Sequence, residues 1–184
     1  MQEKNKTVKW IARTAIMIAL LLILQVGTSS LGQYVTGSCV NFVLAMSVLV
    51  GGFPSGLTVA LLSPIFAFLL GIGPAFIVLT PCISGGNLAF VLVLSLFWRK
   101  LVNHSEKIIM PMISVTAGAV AKFITLYVLV VKLALPSLGL PDEKFKIMSA
   151  MFSYPQLVTA LIGGIIATVL SMRLVKTNLK QYFQ

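Results

Sequence analysis

Lys122 is the residue whose type and position carry the most chemistry. It stands inside the apolar run AGAVAKFITLYVLVVK, where an ionisable side chain is costly and by default marks a functional site. An ammonium there can receive the carboxylate or phosphate of an anionic solute. The competing account has Lys122 snorkelling to the membrane interface. About ten residues separate it from Lys132, roughly 15 Å of helix, which is a long reach. Three amides stand in other apolar stretches: Asn41, Asn87 within SGGNLAF, and Gln156 after Tyr154 and Pro155. Each can satisfy itself on a neighbouring helix for about 1 kcal/mol. Their common level argues for more, because Asn41 and Gln156 fall in the same half of the membrane as Lys122, and Asn87 can form a floor beneath them. No catalytic constellation accompanies them. His104 lies in a basic loop beside Ser105 and Glu106, no carboxylates are paired within the apolar runs, and no phosphate-cradling loop occurs. The chain is therefore expected to be no enzyme and to have no energy source of its own, which leaves binding, passive transport or a subunit of a larger machine.

The elements that must carry these side chains follow from composition. Of 184 residues, 58% are hydrophobic and 10% charged, with mean hydropathy +1.02. Soluble domains carry roughly a quarter charged residues, so an ordinary cytoplasmic globule is excluded. Residues 14–98 contain no Asp, Glu, Lys, Arg or His. One spanning helix needs about 20 apolar residues, so this run must cross several times. Turn signals divide it at GTSSLGQYVTGS (27–38), GGFPSG (51–56) and GIGP (71–74). The predicted spans are 10–26, 38–51, 54–71 and 74–98, then, after the polar segment WRKLVNHSEK (98–107), 108–132 and 147–172. Fourteen residues rise only about 21 Å, so the second span either begins nearer Tyr34 or is shielded by its neighbours. The expected fold is an all-α integral membrane protein, a compact bundle of six transmembrane helices in one domain over 1–184.

Charge sets the expected orientation. Lys4, Lys6, Lys9, Arg13, Arg99, Lys100, Lys107, Arg173, Lys176 and Lys180 share one face, against Lys132, Lys144 and Lys146 on the other. Basic residues favour the cytoplasmic side, so both termini are expected in the cytoplasm of a multi-pass cell-membrane protein. The same placement assigns the net charge of +10 to topology, not to nucleic-acid binding. The basic KNKTVKWIAR ahead of 14–26 also fits a signal peptide, whose removal would leave five spans. Cys39 and Cys82 lack metal-binding or disulfide spacing, and no cofactor is implied.

Two surface features complete the reading. The uncharged 27–38 stretch, with Gln33, Tyr34 and Thr36, reads as a lid over a bound solute or as a plain connector. Ala12, Ala15 and Ala19 recur along one face of the first span, opposite the bulky Met17, Leu20 and Leu24. Such a stripe of small residues lets another helix approach closely.

A short basic N-terminus running into ARTAIMIALLLIL, VTGSCVNFVL opening the second span, and LLSPIFAFLLGIGP before a helix containing GN together resemble the substrate-binding S component of energy-coupling factor (ECF) vitamin transporters. The resemblance covers nearly the whole chain and looks most like the pantothenate-specific branch, although relatives with this pattern also serve cobalamin or a hydroxymethylpyrimidine. It implies a membrane-embedded binder that docks on an energising module of a transmembrane coupling protein and two ATPase subunits, with Ala15 and Ala19 at the docking contact. Pantothenate's hydroxyls and amide would suit Asn41, Asn87 and Gln156, its carboxylate Lys122, and Phe66, Phe68 and Tyr127 would form apolar walls. A stand-alone facilitator or small channel is the other class of function, in which the same polar groups would line a continuous path.

Overall fold

A computed structural model describes residues 2–101 and 109–176. Residues 102–107 of the expected polar segment, His104 among them, and Lys180 of the tail lie outside the described residues. All described secondary structure is helical. In chain order it comprises α1 (Gln2–Thr28), a 3₁₀ turn (Ser29–Leu31), α2 (Gln33–Leu69), α3 (Leu79–Leu101), α4 (Ile109–Leu126), a π-helical stretch (Tyr127–Ala134), α5 (Leu135–Ser137), α6 (Asp142–Met151) and α7 (Tyr154–Lys176). Among the described residues, five helical segments are long and apolar enough to cross a membrane: Thr7–Leu31, Gln33–Leu69, Leu79–Phe97, Met110–Ser137 and Asp142–Arg173. Outward-facing Ile16, Ile23, Leu69, Leu96 and Leu133 are each more than half exposed, an arrangement that water would punish and lipid tails would not.

The expected second and third spans are two helices that meet at a kink within Gln33–Leu69. α2 is interrupted at Gly52, whose φ of 77° and ψ of −178° belong to a region only glycine enters readily. There the run folds on itself: Gly56 lies against the Val48 side chain and Gly51 against Ser55. Pro54 follows at once and cannot donate to the Val50 carbonyl, which instead accepts from the Arg13 guanidinium at 3.4 Å. The Thr14 and Ser55 hydroxyls share a hydrogen bond beside this bend, tying α1 to the second half of α2.

The first connection is tighter than the 27–38 turn signal suggests, and α2 begins at Gln33, the start near Tyr34 that the shortness of 38–51 called for. Where 27–38 reads as a loop, a three-residue 3₁₀ turn and Gly32, at φ 86°, lead straight into α2. Gln33, Tyr34 and Thr36 are helical, and Thr36 donates back to the Thr28 carbonyl at 2.7 Å. The early start also gives the second span the length that 38–51 lacked. α2 occupies the centre, packed against α1, α3 and α7, and α4 packs against α3 and α7. One apolar core gathers Leu21, Leu44, Val59, Phe90 and Val115. A second, built on Leu79, Leu126, Val130 and Phe152, holds α3 to the π-helical stretch.

Candidate functional site

Three helices bring three polar side chains to one point. Lys122, on α4 and only 3% exposed, donates from Nζ to Oδ1 of Asn41 at 2.7 Å and to Oδ1 of Asn87 at 2.6 Å. Each amide is held from behind. Asn41 Nδ2 donates to the Gly37 carbonyl at 2.9 Å and to Thr159 Oγ1 of α7 at 3.2 Å. Asn87 Nδ2 donates to Ser63 Oγ at 2.9 Å. Ser63 stands beside Pro64, whose missing N–H leaves the Ala60 carbonyl without its helical partner; the Ser63 hydroxyl approaches that carbonyl at 3.5 Å. Glycines permit the convergence. A side chain at Gly163 of α7 would run into the α2 backbone at Ser38 and Phe42, and one at Gly86 would strike Leu126 of α4. Both positions adjoin the network, so these close approaches set its reach.

Electrostatically the cluster is unbalanced. The sequence has four acidic residues, Glu3, Glu106, Asp142 and Glu143, and none forms an ion pair with Lys122 among the described residues. Both its hydrogen-bond acceptors are neutral amides. A buried cation is ordinarily matched by an anion. An ammonium has three N–H donors, and two are committed here, so one is left for the space beside it.

That space is a cavity of about 380 Å³, at the small end of the roughly 300–1,000 Å³ typical of ligand pockets. Its buried lining includes Gln25, Asn41, Ser63, Asn87, Lys122 and Phe152. Ser29, Gly32, Ala75 and Met151 line it and are also exposed, so it opens where the α1–α2 turn, the 71–78 segment and the α6–α7 junction meet. Two contacts clasp this rim: Gln33 Nε2 donates to the Met151 carbonyl at 2.6 Å, and the Tyr34 hydroxyl donates to that of Tyr154 at 3.1 Å.

The sequence-selected residues divide accordingly. Lys122, Asn41, Asn87, Gln156 and Phe68 all line the cavity. Asn41 and Asn87 meet Lys122 directly, whereas Gln156 donates to the Met151 carbonyl at 3.1 Å. Tyr34, Phe66 and Tyr127 are not among the lining side chains. Phe66 follows the lining Pro64 by two residues, about 200° round the helix. Tyr127 lies five residues beyond Lys122, on another face; it stacks near Phe123 at 6.0 Å between centroids and lies beneath Lys132 Nζ at 5.4 Å. Ala12, Ala15 and Ala19 are exposed on the far side of α1 from the buried Thr14, Met17, Leu21 and Gln25. Sequence reasoning missed Gln25, Ser63 and Thr159. Gln25 alone had a signal, as an amide four residues after Leu21 within an apolar run.

The chain matches no family model, and neither a curated protein nor a solved structure matches it. Fold and site define the class: an all-helical protein with five membrane-length apolar segments around a cavity floored by a lysine and two amides.

Proposed function

We propose that this chain is a membrane-embedded solute-binding subunit of the ECF S-component type, which captures a small carboxylate, pantothenate, and passes it to an energising module of a coupling protein and two ATPase subunits. The observation that carries the proposal is Lys122, buried at the cavity floor with only neutral partners. A carboxylate entering the cavity supplies the missing charge and accepts the remaining N–H. Bulk and polarity favour this cargo over its rivals. Cobalamin is too large for a cavity of about 380 Å³, and a neutral pyrimidine makes no use of a cation.

Topology supports the same assignment. Counted separately, the two halves of α2 bring the membrane-length segments to six, which is consistent with both termini on the basic, cytoplasmic side. The cavity then opens outward, since its rim lies at the C-terminal end of α1. No phosphate-cradling loop exists in the sequence, so ATP hydrolysis falls to partner subunits.

The test is calorimetric titration of the purified chain with pantothenate, cobalamin and hydroxymethylpyrimidine. Pantothenate is expected to bind, and Lys122→Met to weaken it at least a hundredfold with expression intact. Unchanged affinity in that variant would remove Lys122 from the site. Accumulation of solute against a gradient by the lone chain in liposomes would remove the need for a partner module.

A further inference from the structure

The cavity carries carboxamides at two levels. At the floor, the oxygens of Asn41 and Asn87 accept from Lys122, and their nitrogens donate to Gly37, Thr159 and Ser63. At the mouth, two glutamines converge on one acceptor. Gln33, which opens α2, and Gln156, in the first turn of α7, both line the cavity, and both donate from Nε2 to the Met151 carbonyl, at 2.6 Å and 3.1 Å. Because a carbonyl only accepts, each bond settles which end of its amide is nitrogen and leaves the oxygen at the other end. Neither Oε1 has a hydrogen-bond partner among the described residues. Neither is sealed, since the unpartnered side-chain oxygens shut off from solvent there are Gln25 Oε1 and Ser149 Oγ. Both glutamines are half-buried. Two acceptor oxygens therefore stand open at the mouth, on amides anchored to the same carbonyl.

We propose that Gln33 and Gln156 are specificity-determining residues: their Oε1 atoms accept hydrogen bonds from hydroxyl groups at the far end of an elongated solute whose carboxylate lies on Lys122. The inference rests on the reading of Lys122 as the anion's partner. Depth sets the length of the solute. Gln33 precedes Asn41, which holds Lys122, by eight residues of α2, a rise of about 12 Å. Pantothenate carries its primary hydroxyl about eight bonds from its carboxyl carbon, roughly 9 Å when extended. A hydrogen bond of about 3 Å covers the rest. The site thus selects a long carboxylate hydroxylated at its distal end. A short hydroxy acid cannot reach both levels, and a long acid without distal hydroxyls leaves the two oxygens unserved.

Calorimetry on the full chain in detergent tests this with two probes, pantothenate and its analogue with both hydroxyls replaced by hydrogen. The wild-type protein is expected to prefer pantothenate roughly ten- to a hundredfold. In the double variant Gln33→Leu/Gln156→Leu the preference should shrink to within about threefold, through loss of pantothenate affinity alone. Retained binding of the deoxygenated acid shows that the variant is folded. Two single variants separate the acceptor from the bond to Met151. Gln33→Leu and Gln33→Glu both remove that bond, but glutamate keeps an acceptor oxygen. Gln33→Leu should therefore lower the preference roughly fivefold, whereas Gln33→Glu should hold it near the wild-type value. If the wild-type protein binds both acids equally, if the double variant keeps the full preference, or if Gln33→Glu loses as much of it as Gln33→Leu, the role of the mouth glutamines is overturned and the anion site stands. Binding of neither acid to wild-type protein overturns the anion site and this inference with it.

Discussion

Lys122 is gripped by two carboxamides where most buried lysines meet a carboxylate, and that difference decides what the ammonium is free to do. A carboxylate in cis would satisfy it and close the site to anions. Asn87 is the position at which this can be tried, because its Nδ2 meets only the Ser63 hydroxyl, which can reverse and donate to an oxygen. Asn87→Asp is expected to cost pantothenate at least a hundredfold in affinity while the thermal midpoint stays level or rises; calorimetry and thermal unfolding read the two effects separately. Retained affinity would show that Lys122 does not meet the anion. Lys122, Asn41 and Asn87 were legible because a polar side chain stands out against an apolar run. Ser63 and Thr159 were not, since hydroxyl residues are common in membrane helices and usually bond their own backbone. Their partners lie on other helices, which no local pattern announces.

The helices themselves were legible by length and hydropathy, while their joints were read less well. GGFPSG at 51–56 reads as the break between two spans, and the break is there, confined to one residue, Gly52, where two helices meet at a kink. GTSSLGQYVTGS reads as a lid-length connector, but its second half is already α2. Glycine, serine and threonine mark turns in soluble chains, whereas between membrane helices they also mark close packing. Gly163 illustrates the second role. Its α-carbon faces the α2 backbone beside Asn41, so Gly163→Ala must separate α7 from α2. Overpacking of this kind costs about 1–3 kcal/mol, and a lowered thermal midpoint together with weaker pantothenate binding is the expected result. An unshifted midpoint would mean that α2 and α7 are not in close contact there. The π-helical stretch had no counterpart in the hydrophobic pattern, which cannot distinguish π from α register over eight residues.

At the scale of the whole molecule, α1 shows how one helix serves two surroundings. Thr14, Met17, Leu21 and Gln25 face the bundle, and Ala12, Ala15 and Ala19 face out. In the proposed transporter the outward alanine face meets the coupling protein. Ala15→Trp therefore should leave pantothenate affinity within about twofold, since each tenfold requires 1.4 kcal/mol and the residue is remote from the cavity lining. Co-purification with the ATPase subunits should be lost. A variant that still assembles would return the alanine face to lipid contact alone.

Hydropathy and charge are sums along the chain, so the sequence alone determined helices, apolar segments long enough to cross a membrane, and a lysine that needed an explanation. Convergence is not such a sum. Asn41 and Lys122 are 81 residues apart, and Asn87 and Lys122 are 35 apart. Whether they meet depends on the rotation of each helix and on how closely glycines let the backbones approach. Tertiary structure alone therefore decided that the amides hold Lys122 in place and that Phe66 and Tyr127 lie off the cavity. A few tens of degrees of helix rotation separate a lining residue from a lipid-facing one, and the packed neighbours set that angle.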